Sequence, residues 1–271
     1  MEEKLDFLIK YLQKDIGAEA KIIVAGLDEK EAIWRALCNI RKPSPVTKEY
    51  LKVQDEYLEE RLKTVEVTNS QDIKTLSRRY PDCEIPNGNR MALWQGDITR
   101  IDADCIVNAA NSGGLGCFQP LHNCIDNQIQ TYGGVQMRLE CNEYMQNANF
   151  EFGLPTGDVF ITKGYNLPAK YVIHTVGPII NFSVTEEDKK LLKACYTNSL
   201  KLASQKGLKT IVFPCISTGI FSFPRKLAVE CAVEAVCEFL EKDTEIEKVI
   251  FNVFGNENFE IYEDYFINHY K

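Results

Sequence analysis

The chain has 271 residues, 45% of them hydrophobic and 26% charged, with 31 Lys and Arg against 39 Asp and Glu for a formal net charge of −8. This is the composition of a globular protein with an ample core. The absence of a dense Lys/Arg stripe excludes the electrostatic footprint of a nucleic-acid binder. No apolar run approaches the roughly 18 residues of a membrane span, so no membrane partner is expected.

The first residues, "MEEKLDFLIK", are acidic and amphipathic and lack the basic start and apolar run of an export signal. The ten cysteines are scattered through apolar segments such as "DADCIVNAA" and "VECAVEAVCEFL". Most therefore read as buried free thiols in a cytoplasmic protein. Leu5, Leu8, Ile9, Leu12 and Ile16 recur at helical spacing. A second helix is expected over 28–40, stopped before Pro43, and a third over 46–63. "YPDCEIPNGNR" (80–90) is a loop by its prolines, Gly and Asn. A boundary near residue 88 follows. Residues 1–88 form an N-terminal helical extension packed on the main domain, which spans 89–271.

Beyond residue 90 the pattern changes to short apolar runs alternating with helical stretches. Strands are expected in "MALWQG", "CIVNAA", "YVIHTV", "TIVFPCI" and "VIFNVF". They are apolar on both faces, as in a sheet covered by helices. The helix from Thr185 opens on a capping-box variant with Asp188 and stops at Gly207. The helix from Pro224 places Ala228, Ala232, Ala235 and Phe239 on one face. The expected fold class is α/β, a three-layer helix–sheet–helix sandwich, with ligands at the carboxyl ends of the strands.

The loops after those strands carry the candidate chemistry. Asp97 in "QGDIT" can accept from an exocyclic amine, or simply cap a turn. Asn108 and Asn111 precede Gly113, Gly114 and Gly116, a backbone that a ligand can approach closely. Asn amides can hold ribose hydroxyls. Ser217, Thr218 and Gly219 lie between a strand and a helix, where exposed amides suit phosphate. The Lys of a P-loop is missing, so Mg–triphosphate chemistry is not implied. Phe254 is either a base-stacking aromatic or part of the core.

Taken in order, "GDIT", "DCIVNAANS", "PTGDVFITKGYNLPAKYVIHTVGP" and "FPCISTGIFSFP" resemble a macrodomain over about residues 90–271. The resemblance implies ADP-ribose binding in a cleft atop a mixed α/β/α sandwich. It assigns Asp97 and Ile98 to adenine and Asn111 to the distal ribose. Ser217, Thr218, Gly219, Ile220 and Phe221 become the pyrophosphate loop, and Phe254 stacks on adenine. It gives His174, inside a strand, a structural role.

One segment departs from that pattern. Where hydrolytic members carry a run of glycines and Val-Asp-Gly, this chain has "GCFQPLHNCIDN". Asp126 keeps the place of the family's acidic residue, with Cys124 and Ile125 beside it at the ribose. Cys117, His122 and Cys124 form a Cys-x4-His-x-Cys pattern whose donor types suit zinc. A cysteine nucleophile with His122 as base, or two inert thiols, are the other readings. Cys141, at helical spacing from Met137, reads as core.

The pattern also resembles the zinc-dependent macrodomain subfamily, which implies one Zn2+ per chain. It further implies hydrolytic removal of mono-ADP-ribose from proteins, with Asn111 and Asp126 as catalytic residues. An Asp- or Glu-linked adduct is the expected substrate, and zinc would either activate water or coordinate substrate oxygen. The same resemblance implies a sirtuin-like ADP-ribosyltransferase and a lipoyl-carrier protein, glycine cleavage H-like, as partners. The alternative is an ADP-ribose reader whose zinc is structural.

Overall fold

The computed structural model of the chain describes residues 1–18 and 26–270. Three helices come first: α1 (Glu2–Asp15), α2 (Leu27–Ile40) and α3 (Lys48–Leu62). Their apolar faces meet in one core, where Leu5, Leu8, Leu12, Trp34, Tyr50 and Tyr57 are fully buried. The Trp34 and Tyr57 rings meet edge to face at 5.2 Å. Thr47 caps α3 by accepting from the Tyr50 backbone N–H.

The chain then runs along the main body. A short strand β1 (Thr68–Asn69) precedes α4 (Leu76–Arg79), β2 (Met91–Gln95), β3 (Ile101–Asp102) and β4 (Cys105–Ala109). Two helices follow, α5 (Ile125–Gly133) and α6 (Val135–Ala148), then β5 (Val159–Lys163), β6 (Tyr171–Thr175), α7 (Glu186–Gln205), β7 (Thr210–Phe213), α8 (Arg225–Leu240), β8 (Lys248–Val253) and α9 (Asn256–His269). β1 pairs with β3 in parallel. Leu76, Tyr80 and Ile85, which precede β2, are buried in the same core as the sheet.

Six strands form the central sheet in the order β2-β8-β7-β4-β6-β5. All neighbours are parallel except β5 against β6, so the sheet is mixed. β7 and β8 are buried along their whole length, which is why they read as unbroken apolar runs. One core packs α7, α8 and α9 on one face, and a second packs α5 and α6 on the other. The Thr185–Asp188 capping box forms as expected.

Several elements lie outside the sequence expectation, among them β1, β3, α4 and α5, and also β5 and α9. β5 is the antiparallel edge, and its burial alternates instead of running continuously. α9 buries only Tyr262 and Phe266, a stripe too narrow to stand out. α5 and α6 are separated by Gly134, whose φ is +93°. No helix among the described residues is long and apolar enough to cross a membrane.

The extension is joined to the α/β body through α5 and α6. Val135 and Tyr132 insert into its core, and the Arg61 guanidinium lies 3.7 Å from the centroid of the Tyr132 ring.

Candidate active site

The parallel strands β4, β6, β7 and β8 all deliver their carboxyl ends to one cleft of about 820 Å³. Its walls are the loops that follow those strands and the segment leading into α5. The cleft brings together Asn111, Cys117, His122, Cys124, Ile125, Asp126, Ser217, Thr218, Gly219, Ile220, Phe221 and Phe254.

Asp97 and Ile98 do not line it. Asp97 caps a short 3₁₀ turn: Oδ1 accepts from the Thr99 backbone N–H at 3.0 Å and the Thr99 hydroxyl at 2.7 Å. Its Oδ2 pairs with Arg100 at 3.0 Å. Ile98 is buried in the second core.

On the far wall, Pro214 ends β7, because it has no N–H to donate to the sheet. The chain then turns through Ser217 at φ +64°. Phe223 N–H returns to Ser217 O at 3.0 Å and Ser222 N–H to Gly219 O at 3.0 Å. Within the described residues the amides of Gly219, Ile220 and Phe221 make no backbone hydrogen bond, and these residues line the cleft, so their N–H groups are donors that an anion could use. The loop is backed by Gly177, where a Cβ would come within 2.0 Å of Ser217 Oγ. That close approach is the reason for glycine at 177, a requirement the sequence reading did not single out. Phe254 stands exposed at the rim, as does Ile220.

On the near wall, Asp126 is buried in the first turn of α5. Asn108 Nδ2 donates to its Oδ1 at 2.7 Å and Asn111 Nδ2 to its Oδ2 at 3.1 Å. Burial pushes the Asp126 carboxyl up to about 6, against the pull of Asn108, Arg138 and Asn111. Asn108 is itself held from behind, with Nδ2 at 3.1 Å from His174 Nδ1. His174 Nε2 lies 2.9 Å from Thr162 Oγ1, and its ring stacks on Phe160 at 4.6 Å. Burial depresses the imidazole to about 3, so His174 is neutral. It takes no part in lining the cleft and fixes Asn108 instead.

Cys117, His122 and Cys124 converge. Their ligand atoms all lie within 4.8 Å of one another. Cys117 Sγ and His122 Nδ1 are 3.5 Å apart. A tetrahedral zinc with its usual sulfur and nitrogen bond lengths would hold such a pair about 3.5 Å apart, so the spacing of Cys117 and His122 suits that ion. Among the described residues the group contains no fourth donor. Cys141 lies in the second core, where its Sγ accepts from Gln130. Cys124 caps α5, with Sγ accepting from the Asn127 N–H at 3.4 Å. Burial raises the Cys124 thiol to about 12, the opposite of what an activated nucleophile requires.

Several supporting residues escaped the sequence reading. Asn127 Nδ2 donates to Gln119 O at 2.7 Å, and Arg35 on α2 donates to His122 O at 2.7 Å. Asn127 sits three residues after Cys124, the only local hint of that role.

Relatives share this arrangement of elements. The sequence matches the Macro domain family over residues 107–232. It is 43% identical to the protein-ADP-ribose hydrolase of Treponema medium, over 96% of this chain and 97% of that protein. The fold resembles the Oceanobacillus iheyensis macrodomain with ADP at a TM-score of 0.61 and 34% identity, over 68% of this chain and 95% of that one. It also resembles the Trypanosoma brucei macrodomain in complex with ADP-ribose at a TM-score of 0.63 and 27% identity, over 84% and 94%. With a near full-length relative at this identity, a matching family model and a matching fold, the chain belongs to the macrodomain family.

Proposed function

We propose that the protein is a zinc-dependent hydrolase that removes mono-ADP-ribose from modified proteins. The observation that carries this reading is the convergence of Cys117, His122 and Cys124 on the wall that also holds Asp126 and Asn111. Binding is supported by the anion-suited amides at 219–221 and by solved macrodomains with ADP and ADP-ribose. Hydrolysis is supported by the name of the Treponema medium relative.

In this reading the 217–221 loop holds the pyrophosphate and Phe254 stacks on the base. That anchoring delivers the distal ribose to the opposite wall, so the reacting bond is positioned before chemistry begins. Asn111 holds the ribose and orients Asp126. Asp126, poised near neutrality, orients a water and takes its proton. The C–O bond between ribose and an acceptor Asp or Glu breaks as water adds across it. The products are free ADP-ribose and the restored carboxylate. Cys117, His122 and Cys124 would hold the zinc, which when bound would supply Lewis acidity beside Asp126 and Asn111. A sirtuin-like transferase would install the group, and a lipoyl-carrier protein would bear it, in the cytoplasm.

The experiment is release of ADP-ribose from a mono-ADP-ribosylated protein before and after chelation with o-phenanthroline. Chelation abolishes release and added zinc restores it. Full activity in completely demetallated protein would refute the metal's role. ADP-ribose binding without release from any modified protein would make the chain a reader.

A further inference from the structure

We infer that the N-terminal extension is a working part of the active site, and that Arg35 on α2 is a positioning residue for the Cys117–Cys124 loop. The inference rests on the zinc reading for its functional meaning but on hydrogen bonds for its geometry. The loop has no strand or helix of its own before the cap at Cys124. Metal ligands on such a segment need partners outside it to hold their orientation.

Asn127 is the hub of that support. Its backbone N–H holds Cys124 Sγ, and its Nδ2 donates to Gln119 O inside the loop. Its Oδ1 in turn accepts from Arg35 Nε at 2.9 Å and from Asn39 Nδ2 at 3.1 Å. Asn39 donates as well to Thr131 Oγ1 at 2.7 Å. Arg35 uses a second arm, donating from Nη2 to His122 O at 2.7 Å. One guanidinium therefore fixes the backbone of a ligand histidine and the residue that cradles a ligand cysteine. Its planar fork spans both acceptors at once, which a lysine cannot do. Asn39 and Asn127 are fully buried, so this network is sheltered from water.

A second path runs through Arg138. Its guanidinium lies 4.7 Å from the centroid of the Phe118 ring, inside the loop, and donates to the backbone oxygens of Cys38, Asn39 and Arg41 at the end of α2. Both paths lead from the loop to the same helix of the extension.

The test compares wild type, Arg35→Met and Arg61→Met. Arg61 also joins the extension to α5, over Tyr132, but does not touch the loop. Cobalt(II) is the metal probe, titrated against a chelating indicator and followed by its sulfur charge-transfer absorption. Arg35→Met is expected to weaken cobalt binding about tenfold or more, the usual cost of losing support behind metal ligands. Arg61→Met leaves it unchanged. In metal-free protein, iodoacetamide labelling of Cys117 and Cys124, located by mass spectrometry, becomes several times faster in Arg35→Met only. Wild-type cobalt affinity and labelling rates in Arg35→Met overturn the inference, as does equal loosening by Arg61→Met. If wild type takes up no cobalt, the zinc reading fails, and the labelling rates alone still uphold or overturn the clamp. Should Arg35→Met fail to fold, Arg35→Lys, which keeps the charge but cannot bridge both acceptors, is read the same way.

Discussion

His174→Gln tests the buried strut behind Asp126. The imidazole is fully buried, and Asn108 Nδ2 can only donate to it, so Nδ1 accepts and Nε2–H faces Thr162 Oγ1. Burial moves it from an ordinary 6.5 to about 3. The unfolded chain therefore binds a proton that the native state refuses, and stability falls as pH drops through 6.5 toward 3. Between pH 7 and pH 5 this linkage costs about 2 kcal/mol. Asp126 acts in the opposite sense, because its carboxyl is raised to about 6 and the native state protonates first. Over the same interval it returns about 1 kcal/mol. The two groups thus offset each other in part, leaving a net loss of about 1 kcal/mol from this pair, and the variant is needed to separate them. Gln keeps a neutral donor and acceptor and does not titrate. Urea unfolding at pH 7 and pH 5 is expected to show the stability gap shifting by about 2 kcal/mol in favour of His174→Gln on acidification. A gap that does not change with pH would refute the account of His174 as a neutral, desolvated strut.

Gly177→Ala places a Cβ within 2.0 Å of Ser217 Oγ and 2.8 Å of Ile216 Cγ2, so the anion loop must shift. ADP-ribose affinity measured by calorimetry is expected to fall about tenfold or more, a loss of about 1.4 kcal/mol. Asn111→Ala removes one of the two amides on Asp126, and release of ADP-ribose from a modified protein is expected to slow about 100-fold. ADP-ribose affinity should change less than that rate does. Trp34→Ala empties the centre of the extension's core and is expected to cost about 3–5 kcal/mol in denaturant unfolding.

What was legible in the sequence follows from which interactions are local. β7 and β8 are buried on both faces, so their apolar runs announced themselves. The Thr185 cap is a contact across three residues and could be read directly. Cys117, His122 and Cys124 are close in sequence, and a single loop suffices to bring them together. β5 was hidden because an edge strand needs only every second residue apolar, and α9 because two buried rings satisfy it. Asp97 was legible as a turn cap, because its bonds to Thr99 and Arg100 are contacts across two and three residues.

The three helices of the extension were legible, but their link to the site was not, for a reason that bears on that site. An arginine on an amphipathic helix reads as a solvated face, and nothing local links Arg35 to His122, 87 residues away. Among the described residues, the backbone hydrogen bond within the loop's own turn is His122 N–H to Gln119 O at 3.3 Å. Three further anchors, Asn127 on Gln119, Arg35 on His122 and Arg138 over Phe118, connect to α2. A glycine-rich loop in this place has no side chains to orient. This loop must instead hold two thiols and an imidazole in one constellation, and support from the extension meets that demand.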